Sequence, residues 1–336
     1  MDSCGSEQAV ESGVQTHSTS YRLRNWRDYN ASLIARGSLT LWIEEDLDAW
    51  WLEKQKTGKP GASPTFSEKA IQACLSLRLL LHLPLRQTQG FIGSLFGLTQ
   101  QALPVPDYTT LSRRQKGLPV CLPVRPSERP RHIVLDSTGL KVFGEGEWKV
   151  PKHGKGRRRV WRKIHLSVDE ASGEVLAVVM SEGDAADGPH LPRLVQESQQ
   201  AGGPIGQSSA DGAYDSWDND AFLTQQGIVS TIPPRAGSKI RQHGNSKSAT
   251  LQRDQNLRQI RRLGRRGWAR VWGYSRRSLA ETQMMRQKRI LGGCLLSRGT
   301  ANQWVECQLR CAVLNRLTHL GMPDSYKSMK DRVGAA

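Results

Sequence analysis

The chain has 336 residues, with 48 Lys and Arg against 31 Asp and Glu, a formal net charge of +17 and 37% hydrophobic content. It is long enough for two domains, or one large domain with an appendage, and can bury a full core. The excess of positive charge points to a polyanionic partner, nucleic acid first, and the six cysteines, with no Cys-x-x-Cys pair and no zinc-ligand spacing, exclude a disulfide-stapled or zinc-built fold and fit reduced thiols in a cytosol.

The first 21 residues are polar, with no charged start followed by an apolar core, so they read as a disordered tail and not a secretion signal. From Asn25 to Leu52 the pattern is mixed and aromatic, and "KQKTGKPGASP" breaks it as a loop. Thr65-Phe66-Ser67-Glu68 has capping-box spacing, and Ala70, Ile71, Cys74, Leu75, Leu77 and Leu81 carry an apolar stripe up to Pro84. The longest apolar run, Leu75 to Leu85, contains Arg78 and His82 and is too short to cross a bilayer.

"LRQTQGFIGSLFGL" predicts a second helix ending near Gly97, and "VPDYTTLSRRQKGL" a third, N-capped by Asp107 and carrying Arg113, Arg114 and Lys116. Three short helices, the last one basic, suggest a helix-turn-helix type of DNA-binding domain over residues 22–120, although small bundles with a charged solvated face are also common. "LPVCLPVRPSERP" follows as a Pro-rich linker.

Beyond it, strands and helices alternate. "RHIVLD" reads as an apolar strand ending in Asp136, "GLKVFG" starts another, and "RKIHLSVDEASGEVLAVVM" reads as a hairpin. A helix over 189–200, the strand "IGQSSAD", the helix "SWDNDAFLTQQG" and the strand "IVSTIPP" complete the order three strands, helix, strand, helix, strand. This predicts an α/β domain over 121–322 built on a mixed sheet flanked by helices.

The stretch from Arg235 to Gly273 is basic and holds one acid, Asp254. A solvated loop would account for it. Trp268 and Trp272, however, interleave with Arg265, Arg266 and Arg270, a composition suited to phosphates and unpaired bases, so Trp268 and Arg270 are candidate DNA contacts.

"YSRRSLAETQMMRQK" carries Glu281 among bases. On one continuous α-helix Arg277, Tyr274 and Lys288 lie at roughly −40°, +20° and −20° from Glu281, a single narrow face. An Arg277–Glu281 surface pair is worth only a few tenths of a kcal/mol, whereas phosphodiester chemistry needs hard oxygen ligands for divalent ions. Asp136 and Asp211, each anchored by a strand, are the best partners for Glu281. Asp169 reads as turn chemistry, and Asp184, Asp187 and Asp215 rank below Asp211.

"VLDSTGLKV", "SADGAYDS" and "YSRRSLAETQMMRQK" resemble the catalytic blocks of bacterial insertion-sequence DDE transposases, the third matching their Y-R-E-K signature at Tyr274, Arg277, Glu281 and Lys288. The resemblance extends over most of residues 22–322. It implies an RNase H-like fold and two Mg²⁺ ions, replaceable by Mn²⁺, held by Asp136, Asp211 and Glu281. It also implies cutting and joining of DNA at terminal inverted repeats, with Tyr274, Arg277 and Lys288 gripping the cleaved terminus. A cytoplasmic, nucleoid-associated homodimer without a membrane span is the expected form. The interval of 70 residues between Asp211 and Glu281 (281 minus 211) must hold an insertion, assigned to about 235–273, and 323–336 reads as a flexible tail. An RNase H-like nuclease or resolvase that cuts without joining, and a DNA-binding derivative without catalysis, are the alternatives.

Overall fold

The computed structural model describes residues 19–43, 46–55, 63–142, 161–243 and 250–329. They fall into two compact units, one of residues 38–319 and one that joins the chain up to 37 with the chain from 320 on.

The smaller unit begins with β1 (Thr19–Leu23), followed by α1 (Trp26–Ala35). The larger unit opens with the one-turn helix α2 (Leu47–Trp50) and then α3 (Glu68–Leu80), α4 (Leu85–Leu98) and α5 (Tyr108–Gln115). Ser67, not Thr65, caps α3: its hydroxyl accepts the Ala70 N–H at 3.0 Å and donates to the Trp50 carbonyl at 2.6 Å. Asp107 caps α5 as expected, accepting from the N–H groups of Thr109 and Thr110 at 2.8 and 3.0 Å. α3 is buried nearly all round, even at Arg78, which makes it a core helix instead of an amphipathic surface one.

The sheet domain runs β2 (Arg131–Val142), β3 (Trp161–Asp169), β4 (Val175–Glu182), α6 (Leu191–Gly202), β5 (Ile205–Ser209), α7 (Trp217–Gln225) and β6 (Val229–Thr231), the order expected from the sequence. In space the strands lie β4-β3-β2-β5-β6, antiparallel up to β2 and parallel from β2 onward. This is the expected mixed α/β sheet, with one correction. "RHIVLD" and "GLKV" are a single strand, paired with β3 from Ile133↔Asp169 to Lys141↔Trp161. Ser137-Thr138-Gly139 has turn composition, but cross-strand pairing overrides it, and a Cβ on Gly139 would meet the Trp161 ring at 3.1 Å.

After β6 come α8 (Gln252–Val271), a 3₁₀ turn (Tyr274–Arg277), α9 (Ser278–Leu291), the short β7 (Cys294–Leu295), which pairs with the end of β2, and α10 (Thr300–His319). The basic stretch is therefore largely helical, and α8 is broken at Gly264, whose φ of 70° and ψ of 163° leave the helical region. Two apolar layers sandwich the sheet. Ile133 and Leu135 face one, with α6 and α7; Val134 and Leu140 face the other, with Ala280 and Met284 of α9 and Cys307 and Cys311 of α10. α5 is fastened to this second layer by Gln115, which donates to Ser297 Oγ (3.0 Å) and the Asn302 carbonyl (2.9 Å).

The smaller unit closes with β8 (Ser325–Met329), antiparallel to β1 through Thr19↔Met329 and Leu23↔Ser325. Residues 325–329 are thus strand where a flexible tail was expected, as are 19–21 at the other end; each strand finds its partner some 300 residues away, beyond the reach of local pattern. Residues 1–18 and 330–336 of the two expected tails lie outside the described residues.

Candidate active site

The parallel pairing of β2 with β5 ends at Val134↔Ser209. Asp136 and Asp211 each stand two residues past that pair, one still in β2 and one beyond the end of β5. The chain crosses from β4 at one edge to β5 on the other side of β2, so the mouth between β2 and β5 is a topological switch point, where open α/β sheets place their ligand crevices. Asp136 is not at a strand end, as predicted, but in mid-strand, still opposite Leu166 of β3 and two residues past the last pair with β5.

Side chains alternate along β2, so Asp136 and Thr138 share a face with Val134 and Leu140, the face covered by α9. From α9, Lys288 Nζ donates to Thr138 Oγ1 at 2.6 Å. Arg277, on the 3₁₀ turn before α9, reaches Asp136 Oδ2 with one terminal nitrogen at 3.2 Å and Glu281 Oε1 with the other at 2.5 Å. The single-helix geometry inferred for Tyr274 to Lys288 holds only from Ser278 on, because Tyr274 and Arg277 belong to the separate turn. The four residues nevertheless gather beside β2: Arg277 bonds Asp136 and Glu281 and interacts with Tyr274, and Lys288 bonds Thr138.

Burial pushes the Asp136 carboxyl above its ordinary range; the Ser137 N–H and Arg277 pull it back, and the charges of Asp211 and Glu281 raise it further. Burial also raises the Tyr274 phenol, with Arg277 opposing. For Arg277, burial works against the charge, but Tyr274, Asp136 and Glu281 outweigh it and hold the guanidinium above its usual value. Asp211 accepts the Ala213 N–H at 2.8 Å, capping the 3₁₀ turn Gly212–Tyr214.

That turn is braced by residues the sequence did not single out. Arg235 donates to the carbonyls of Gly212 (2.9 Å) and Ala213 (3.0 Å), and its own N–H goes to Asp215 at 2.9 Å. Asp215 is held bidentately by Arg253 at 2.7 and 3.0 Å. Nothing in local composition distinguishes these arginines from the others of the basic stretch, because their acceptors lie about 20 to 40 residues earlier. On the other side, Asp187 receives Lys163 at 2.6 Å and lies 3.3 Å from His165. Burial would raise its carboxyl, but bonds from His165, Lys163 and Ser137 hold it well below the carboxylate range, next door to Asp136. Asp169 pairs with Arg131 at 2.8 Å and accepts from Ser172, which is turn chemistry as expected.

The remaining candidates separate. Arg113 and Arg270 are exposed. Arg114 spends one nitrogen on the Phe66 carbonyl at 2.9 Å, inside the helical layer. Trp268 is corrected outright: it is 0% exposed, its indole N–H donates to Asn256 at 3.3 Å, and its ring lies 5.1 Å from that of Tyr274, so it cannot stack on a base. The break at Gly264 turns it inward, a change of direction that periodicity does not announce.

The donor set suits a hard divalent cation: carboxylate oxygens only, with Cys74, Cys307 and Cys311 buried elsewhere. Among the described residues, though, no three His, Cys, Asp or Glu side chains are gathered closely enough to hold one, and Arg277 lies between two of the carboxylates.

Two family models match the chain, both described as a transposase DDE domain, one over residues 34–145 and one over 127–316. Among solved structures, a piggyBac transposase synaptic complex with hairpin DNA is similar at 10% identity and a TM-score of 0.37, over 85% of this chain and 73% of that one. A simian T-cell lymphotropic virus intasome in complex with PP2A regulatory subunit B56 gamma is similar at 12% identity and a TM-score of 0.26, over 69% and 66%.

Proposed function

Because the chain belongs to the DDE transposase family, whose model spans more than half of it, we infer that Asp136, Asp211 and Glu281 are the carboxylates with which it cuts and joins DNA. The observation that carries this assignment is the convergence at the switch point: Asp136 and Glu281 bind one guanidinium, and Asp211 stands beside them close enough to shift Asp136.

Two Mg²⁺ ions, or Mn²⁺, held by these carboxylates would supply positive charge to the attacking and leaving oxygens of a phosphodiester. The protein's own part is to place the DNA. Lys288, exposed at the crevice edge, and Arg277 offer cations to backbone phosphates, and half-buried Tyr274 offers a phenol. Arg113, Arg270 and the exposed arginines of α8 extend that surface. The substrate is the pair of terminal inverted repeats, brought together by a homodimer in the bacterial cytoplasm, and helices α3–α5 are assigned a share of end recognition. The basic segment 235–273 acts as an insertion in the catalytic domain.

Glu281→Ala is expected to bind a repeat-bearing duplex as the parent does and to lose Mg²⁺-dependent cleavage, read on a labelled strand. Undiminished cleavage would remove Glu281 from the site. Release of cut ends by the parent chain, without any joined product, would make it a nuclease instead.

A further inference from the structure

Arg277 holds Asp136 and Glu281 with two different nitrogens, at 3.2 and 2.5 Å, and so occupies the space and the charge that a divalent ion would need on those carboxylates. A divalent ion drawing on Asp136 Oδ2 and Glu281 Oε1 would compete with the guanidinium for their lone pairs and their charge. The residues around Arg277 allow it to leave. Its side chain is 24% exposed and that of Glu281 is 54% exposed. Arg277 sits on the 3₁₀ turn and not on α9, and the turn is entered through Gly273 in the left-handed region, with φ of 63°. Beneath it, the buried Trp268 supports the Tyr274 ring at 5.1 Å, so the turn can re-aim Arg277 while its base stays fixed.

We propose that Arg277 is an exchangeable internal cation: it holds Asp136 and Glu281 in register, gives them up to the divalent ion, and passes to a DNA phosphate, so that metal and DNA load together. The proposal rests on the reading of these carboxylates as metal-holding. Its physical content is competition and linkage. A phosphate that binds the released guanidinium better than the engaged one favours metal, and metal must favour that phosphate by the same factor. Such an arrangement keeps Asp136 and Glu281 from repelling one another before substrate arrives, and biases metal occupancy toward the DNA-bound protein.

The test is Mn²⁺ titration of the full chain, following the electron paramagnetic resonance of free ion, with and without a short blunt duplex of arbitrary sequence. Arg277→Met is expected to tighten Mn²⁺ binding about tenfold in the absence of DNA, within the usual range of coupling between sites. Arg277→Lys, which keeps a charge but cannot span two carboxylates, should fall between Met and the parent and guards against misfolding of the Met variant. Arg276→Gln serves as control, since Arg276 is bonded to Glu170 outside the site; it should leave Mn²⁺ affinity as in the parent. The duplex should tighten Mn²⁺ binding to the parent and much less to Arg277→Met. Equal or weaker Mn²⁺ affinity in both Arg277 variants, a matching gain in Arg276→Gln, or equal tightening by the duplex in parent and Arg277→Met would each overturn the exchange. Asp136→Asn separates the two levels. Lost Mn²⁺ binding in that variant leaves the metal-site reading standing whatever Arg277 does, and unchanged binding would refute that reading itself.

Discussion

Replacing Trp268 with Ala sets two physical accounts against each other. Were Trp268 a stacking platform for an unpaired base, truncation would cost DNA affinity, about 1–3 kcal/mol per base, and leave the fold intact. In the structure Trp268 is 0% exposed and its ring packs against Tyr274. Truncating a buried aromatic of this size costs about 3–5 kcal/mol. The lost indole N–H adds little, since Asn256 Oδ1 also accepts from Gln252 at 3.2 Å and its amide donates to the Ser230 carbonyl at 2.9 Å. Against a total stability of about 5–15 kcal/mol, this is a fifth or more of the margin. Urea unfolding followed by circular dichroism should show a clear fall in midpoint for Trp268→Ala. Trp268→Phe keeps the ring volume in large part and loses the N–H, so it should fall between Ala and the parent, with about 1 kcal/mol attributable to the hydrogen bond. An unchanged midpoint in Trp268→Ala together with weakened DNA binding would refute the buried placement.

Other substitutions probe other layers. Glu306→Ala removes the carboxylate that accepts from Arg310 (3.2 Å) and from the N–H groups of Leu296 (2.9 Å) and Ser297 (2.8 Å), leaving the 0% exposed Arg310 and the 6% exposed Arg78 without their counter-charge; a loss of about 3–5 kcal/mol is expected in chemical denaturation. Arg235→Gln frees the Asp211 turn and should lower the cleavage rate about tenfold or more, by misplacing a reacting group, while DNA affinity measured by fluorescence anisotropy stays near the parent's. Asp136 has a folded-state pKa raised above its ordinary 3.8, chiefly by burial. Its ionisation therefore costs stability, a cost that is absent well below 3.8, grows as pH rises from there, and is complete above the folded pKa. Asp136→Asn should accordingly melt at a higher temperature than the parent at neutral pH, with the difference disappearing in strong acid; a lower neutral-pH melting temperature would contradict the assigned shift.

The sheet was legible because its signals are local. Val134, Ile164, Leu166 and Val168 alternate or run apolar over strand lengths, and Asp107 announces α5 by the residues beside it. Asp136, Asp211 and Glu281, the proposed carboxylates, stand out in the sequence as acids on recognisable elements, and the resemblance to DDE transposases supplies their chemistry. What stayed hidden depends on partners distant in the chain. Arg235 is indistinguishable from Arg241 until Gly212 and Ala213 are seen to point their carbonyls at it, and Trp268 looks like a stacking residue until the break at Gly264 turns its ring inward. Thr138 and Gly139, good turn formers, yield to the ladder with β3. The engagement of Glu281 by Arg277 was anticipated as a weak surface pair; the third member, Asp136, comes from a strand 141 residues away and changes what the pair means.

The pairing of β1 with β8 bears on the order in which the molecule can be made. The five positions from Thr19↔Met329 to Leu23↔Ser325 join segments separated by almost the whole described chain. Every residue of the six-stranded sheet is synthesised before Ser325 exists. The central unit can therefore assemble while β1 still waits with its backbone donors and acceptors solvated, and the small unit can close only at the end of that schedule. Extending a loop of this length adds little further entropy cost, since closure entropy grows only logarithmically, so the delay is one of timing and not of stability. Until it closes, β1 is an open edge in a cell full of other nascent chains.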